Sequence, residues 1–141
     1  MKNILLVDAH ATICYLSTTY EGSVHDKRIT DECNYPLPHG AHLFQDKGFQ
    51  GFAPPFVTVH QPTKKSKDAP LSDDQRAANR AIAQKRMRVE HVIASLKRLR
   101  LVKDKLRLWK ADVCDHIIQI AAALHNFRLS FRPWPFVSLY S

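Results

Sequence analysis

The chain has 141 residues, 45% of them apolar, and a formal net charge of +8, which is one domain's worth of sequence and excludes wholesale disorder. Between Arg76 and Lys110 stand twelve Lys and Arg against two acids, Glu90 and Asp104, and the remainder is slightly acidic. So concentrated a basic stretch points to a polyanion, nucleic acid first, with a merely solvated helix face as the plain alternative.

At the start, Met1-Lys2-Asn3 leads into only four apolar residues before Asp8, which excludes a secretory signal and a membrane span. Cys14, Cys33 and Cys114 are odd in number and widely spaced, so they read as reduced, mostly buried thiols of a cytoplasmic protein. The eight His are scattered, and no zinc site is expected. Asn3 to Val7 and Ala11 to Ser17 read as a hairpin of two strands, the first more continuously apolar and therefore the more buried. Ser23 or Asp26 then caps a short helix through Lys27, Arg28, Ile29 and Glu32. After the turn-rich Asn34 to Gly40, a third strand covers Ala41 to Gln45. It ends in Asp46-Lys47-Gly48-Phe49-Gln50-Gly51, an acid at the carboxyl end of a strand with two glycines close behind. Open α/β sheets place ligand sites at such positions, although Asp and Gly also make ordinary turns.

Phe56 to His60 alternates as a further strand, and Pro62 to Pro70 is a basic loop carrying Lys64, Lys65 and Lys67. Ser72 and Gln75 form a capping box that opens a long helix reaching about Leu101. On it Ile82, Val89, Ile93, Leu96 and Leu99 make one apolar stripe, while Arg86, Arg88, Lys97, Arg98 and Arg100 supply cations for a DNA backbone. Glu90 stands about 100° from Val89, at the border of that stripe. The bland reading pairs it with Arg86; the sharper one aims it at another carboxylate. Val102 to Lys110 is a basic connector. Asp112 caps a final, mostly buried helix whose face is Val113, Ile117, Ile120, Leu124 and Phe127, widened by Ile118 and Ala121 to Ala123. The aromatic, proline-broken residues 131–141 form a tail. Strands alternating with helices in this order indicate an α/β fold. With Asp46 and Glu90 both near one end of a sheet, hard oxygen ligands would suit paired Mg2+ ions.

Three stretches carry a resemblance: Gly22-Ser23-Val24-His25-Asp26-Lys27-Arg28-Ile29; Asp46 through Gly51; and Asn79 through Arg88-Val89-Glu90-His91-Val92-Ile93, joined by Leu124-His125-Asn126-Phe127-Arg128. Together, across nearly the whole chain, they resemble the DDE superfamily endonucleases, transposases of bacterial insertion sequences and Harbinger-type elements. The resemblance implies a RNase H-like fold and an Asp, Asp, Glu triad that binds Mg2+ or Mn2+, cuts at element ends and joins the freed 3′ hydroxyl to target DNA. It makes Asp46 the second acid and Glu90 the third, both catalytic and metal-binding. His25-Asp26 matches a family signature with a positional role, direct metal contact by Asp26 being the lesser expectation. The family's first acid lies upstream of the hairpin that opens this chain, and Asp8 matches a turn position, a weak candidate to replace it.

The reading that follows is the C-terminal part of a transposase catalytic domain: residues 1–130 form a partial RNase H-like fold followed by the tail. It lacks the first acid and the DNA-binding region, and alone it is inactive. The implied partners are DNA together with the upstream half of the transposase or further copies of the chain. The rival from another class is a non-catalytic basic DNA-binding protein derived from a transposase.

Overall fold

The structure, a computed structural model, describes residues 2–99, 102 and 111–135. The chain divides into two units, Met1–Ser23 with Arg88–Ser141, and Val24–Met87.

The first unit opens with the expected hairpin, β1 (Leu5–Val7) antiparallel to β2 (Ile13–Leu16). Asp8 ties the loop: its Oδ1 accepts the backbone N–H groups of His10 (2.9 Å) and Thr12 (2.8 Å). The register slips between Leu6 and Val7, passing over Cys14; such a bulge turns Ile13 inward and Cys14 out. The first strand is not the more buried one. Its three residues are half-buried, and the deepest side chains flank it at Ile4, Ala11 and Ile13.

Two helices close this unit. α2 (Asp73–Lys97) enters it at Arg88, and α3 is Ala111–Phe131. The core gathers Ala11, Ile13, Val92, Leu96, Ala121 and Ala122, with Leu16, Ile118, Leu129 and Trp134 packed around it. Two expectations about helix faces therefore change. Val92, absent from the expected stripe, is the fully buried residue of α2, whereas Leu99 is 38% exposed. On α3 the fully buried residues are small ones, because Ala121 and Ala122 let the hairpin backbone come close, and of the expected face Ile120, Leu124 and Phe127 point outward. Asp112 lies in the first turn of α3, not ahead of it. Trp134 packs its edge on His125, while residues 136–141 of the expected tail lie outside the described residues.

The hairpin and α3 are joined by polar groups from the Leu124 to Arg128 motif. Asn126 meets both backbone groups of Ile13, Oδ1 accepting its N–H at 2.9 Å and Nδ2 donating to its carbonyl at 3.0 Å. Buried His125 donates from Nε2 to the Ala11 carbonyl (2.9 Å) and turns Nδ1 to the Ser95 hydroxyl on α2 (3.1 Å). Asp115 accepts the Thr19 N–H at 2.6 Å.

The second unit holds α1 (Asp26–Glu32) and a parallel pair, β3 (His42–Phe44) with β4 (Thr58–His60). The N-cap of α1 is His25, whose ring accepts the Lys27 N–H, instead of Ser23 or Asp26. Two exposed i,i+4 ion pairs, Lys27 with Asp31 and Arg28 with Glu32, support this short helix, and Ile29 is its buried anchor. β4 starts two residues later than expected because Phe56 takes a left-handed backbone (φ 61°). The capping box is as expected: Gln75 N–H donates to Ser72 Oγ (3.2 Å) and Ser72 N–H to Gln75 Oε1 (3.0 Å). α2 ends at Lys97, four residues short of Leu101, in i→i+3 bonds at Arg98 and Leu99. Among the described residues the architecture is mixed α/β, with two small two-stranded sheets and three α-helices.

Asn126→Ala removes two bonds and strands both backbone groups of Ile13, so it should lower unfolding stability by about 2–3 kcal/mol in urea titration. A loss below about 0.5 kcal/mol would show that water replaces the carboxamide without cost.

Candidate functional site

Asp46 sits where β3 ends, and its surroundings explain the motif around it. It caps a 3-10 turn, Lys47–Phe49, through Oδ1, which accepts the Lys47 N–H at 2.6 Å. Buried Gln45, which the sequence reading passed over, donates from Nε2 to the carbonyls of Phe49 (3.2 Å) and Phe52 (3.1 Å) and so pins the loop from inside. Gln61 donates to the Asp46 carbonyl at 3.1 Å. The glycines answer to α1: a Cβ on Gly48 would stand 2.9 Å from an Asp26 carboxylate oxygen, and one on Gly51 (φ +89°) 3.1 Å from Lys27 Cε. The first two motifs therefore fit each other, with Asp26 and Lys27 against the backbone of the Asp46 loop.

Asp46 Oδ2 pairs with Arg86 of α2 at 3.0 Å. The guanidinium is 24% exposed and the carboxylate 50%, so the pair contributes about 1 kcal/mol or less to stability. Arg86, expected on a DNA-facing surface, is spent on the acid. Residue order alone does not announce the Asp46 capping bond or this pair, because the cap is set by the local turn and the partner by packing forty residues on.

The remaining candidates belong to other elements. Glu90 is in the first unit, exposed, about 160° round α2 from Val92 instead of at the border of the packing stripe, and no ion pair of Glu90 is seen among the described residues. Asp8 has one oxygen committed to the hairpin loop. Lys64, Lys65 and Lys67 are exposed in their loop, as are Lys97 and Arg98 on and just past α2. Arg88 is half-buried and donates to the Pro135 carbonyl. Arg100 lies outside the described residues.

For a divalent ion, the carboxylates Asp26 and Asp46 are right in kind, being hard oxygen donors. They are not enough in number: among the described residues no three His, Cys, Asp or Glu side chains gather to hold a metal, and Asp46 already serves Lys47 and Arg86. The cysteines are free, but none is buried: Cys14 is exposed and the other two half-buried. Partial desolvation, with Asp8 second, raises the Cys14 thiol above its ordinary value, which keeps it protonated.

Beside the loop, the sheet carries an aromatic ladder. His60 stacks on Phe44 (4.5 Å between centroids) and on His42 (5.1 Å), Lys85 lies over the Phe44 ring at 5.0 Å, and His42 Nδ1 meets His60 Nε2 at 2.8 Å. That last contact needs one proton between two rings. Desolvation, then His42 and Lys85, lower the His60 pKa below 6.5. Folding therefore favours neutral His60, and its contribution to stability is full above about 6.5 and lost as the pH falls below that value. Thermal unfolding of the wild type should fall more steeply than that of His60→Gln between about pH 7 and about pH 5; parallel profiles would contradict the arrangement.

The comparison with known proteins bears on all of these residues at once. A family model described as DDE superfamily endonuclease matches residues 1–126. No curated protein and no solved structure matches the chain. Among the described residues no helix is long and apolar enough to cross a membrane. The match takes in the first two motif stretches and Asn79 through Ile93 and ends at Asn126 of the last, and over that length the chain belongs to the DDE superfamily endonucleases.

Proposed function

We propose that the chain is the C-terminal part of a DDE transposase catalytic domain, residues 1–130 forming part of a RNase H-like fold and residues 131–141 its tail. Asp46 and Glu90 are its second and third acids. The observation that carries this reading is the family match over 1–126, with Asp46 held at the carboxyl end of a strand in a parallel pair. Support for a missing upstream portion comes from the sheets. Among the described residues each has two strands, fewer than stand alone in water, and each leaves strand edges unpaired.

In an assembled enzyme Asp46 and Glu90 would join a third acid in holding Mg2+ or Mn2+, which would supply charge stabilisation at the phosphodiester. This chain's own residues orient and bind. Lys47 N–H and Gln45 fix the Asp46 carboxylate and its loop, and Arg86 balances its charge until a cation or the upstream segment arrives. Lys64, Lys65, Lys67, Lys97, Arg98 and Arg100 bind the phosphate backbone of element ends and target DNA. Such an enzyme works where DNA is, in the cytoplasm and on the nucleoid of a bacterial cell.

A second reading, a basic DNA-binding protein without catalysis, draws on the Asp46 to Arg86 pair and the outward Glu90, which give both acids surface structural roles. Glu90→Gln separates the two. For a metal ligand DNA affinity barely changes, whereas a purely electrostatic binder gains affinity when the negative charge is removed.

The purified chain should bind duplex DNA with an affinity that falls steeply with salt, and Lys64→Ala with Lys65→Ala should flatten the log–log slope by about 2. It should not nick supercoiled DNA with Mg2+ or Mn2+. Nicking abolished by Asp46→Ala and also by Asp8→Ala would instead make Asp8 the first acid.

A further inference from the structure

The basic loop leaves the second unit through a stem that is tied down twice. Gln61 donates to the Asp46 carbonyl at 3.1 Å, and a little further on Thr63 is held at both of its backbone groups by one side chain of α2. Asn79 Oδ1 accepts the Thr63 N–H at 2.8 Å, and Nδ2 donates to the Thr63 carbonyl at 3.0 Å. Pro62, whose ring fixes its own φ, stands between the two ties. Lys64 follows directly.

Asn79 is not rescuing buried groups, as Asn126 does at Ile13. Thr63 is exposed, so water can satisfy its N–H and carbonyl, and α2 has its own start in the Ser72 and Gln75 box ahead of Asn79. What the carboxamide changes is how much chain is free. Residues 61–72 join β4 to α2; with Thr63 fastened and Ser72 in its box, only 64–71 are left as a span. That span carries Lys64, Lys65 and Lys67 with one acid, Asp68, all exposed. Cations on a loose chain lose backbone and side-chain freedom when phosphates order them, and this weakens binding. A lysine next to a fixed point has lost the backbone part already, on folding.

We infer that Asn79 is a positioning residue for DNA, holding the stem of the loop so that Lys64 and Lys65 reach phosphates from an ordered backbone. This rests on the reading of those lysines as phosphate contacts. Asn79 acts through them, its own amide being occupied at Thr63.

A double-mutant cycle on the full chain, read as affinity for a fluorescent duplex, separates this role from simple helix support. Asn79→Leu keeps the size and helix preference of the side chain but makes neither bond. It should weaken binding about 5- to 10-fold and leave the salt slope unchanged, since the same phosphates are neutralised. In the free protein it should speed exchange of the Thr63 amide proton. In a Lys64→Ala, Lys65→Ala background the same substitution should alter affinity less than about 2-fold. Asn79→Ala should show the same coupling, which sets aside any disturbance by the leucine itself. An equal loss in both backgrounds, or no loss in either, would overturn the inference while leaving DNA binding in place. A wild type that binds no duplex would sink the DNA reading, and the role of Asn79 with it.

Discussion

The first unit depends on the Asn126 carboxamide lying against Ile13. One oxygen and one nitrogen of a side chain satisfy the N–H and the carbonyl of a single strand residue, as a neighbouring strand would. A two-stranded hairpin is marginal in water. Here a helix does the work of a third strand at one residue, and His125 and Asp115 extend the attachment to Ala11 and Thr19. For those short polar groups to reach the hairpin, α3 must present alanines toward it. Ile120, Leu124, Phe127 and Phe131 are then left on the outer side.

The second unit applies the same economy around Asp46. A carboxylate useful at a phosphodiester has to be held still, because a site that needs several oxygens in register loses its effect when one of them wanders. The 3-10 turn, the inward Gln45 amide and the close approach of Asp26 to Gly48 hold the Asp46 loop in place. Arg86 adds a cation at the remaining oxygen. Asp26, Lys27, Gly48, Gly51 and Arg86 of the motif stretches therefore act here as carpentry for one loop.

What could be read in advance was local. The Ser72 and Gln75 box closes within one turn of helix, and the hairpin follows from two apolar runs and an Asp-led bend, so both are encoded in a few adjacent residues. Helix faces were harder. Periodicity reports that α3 has an apolar side, but with Ala121 and Ala122 next to Leu124 and Phe127 it does not say which of two adjoining sectors is buried; close backbone approach decided for the small one. On α2 the same ambiguity moved the centre of packing from Val89 to Val92 and turned Glu90 outward. At the site, an acid closing a strand was legible, whereas Arg86 as its partner, forty residues on, depends on packing within the second unit that no short window contains.

Whether Asp46 and Glu90 serve a common ion is the point on which the catalytic reading turns, and paramagnetic broadening by Mn2+ in amide NMR spectra addresses it directly. The expected result is that signals of Lys47 and Gly48 and those of Glu90 and His91 broaden together over one titration, and that Asp46→Asn or Glu90→Gln alone abolishes both effects. Broadening confined to one group, or persisting at one acid after the other is neutralised, would contradict a shared site.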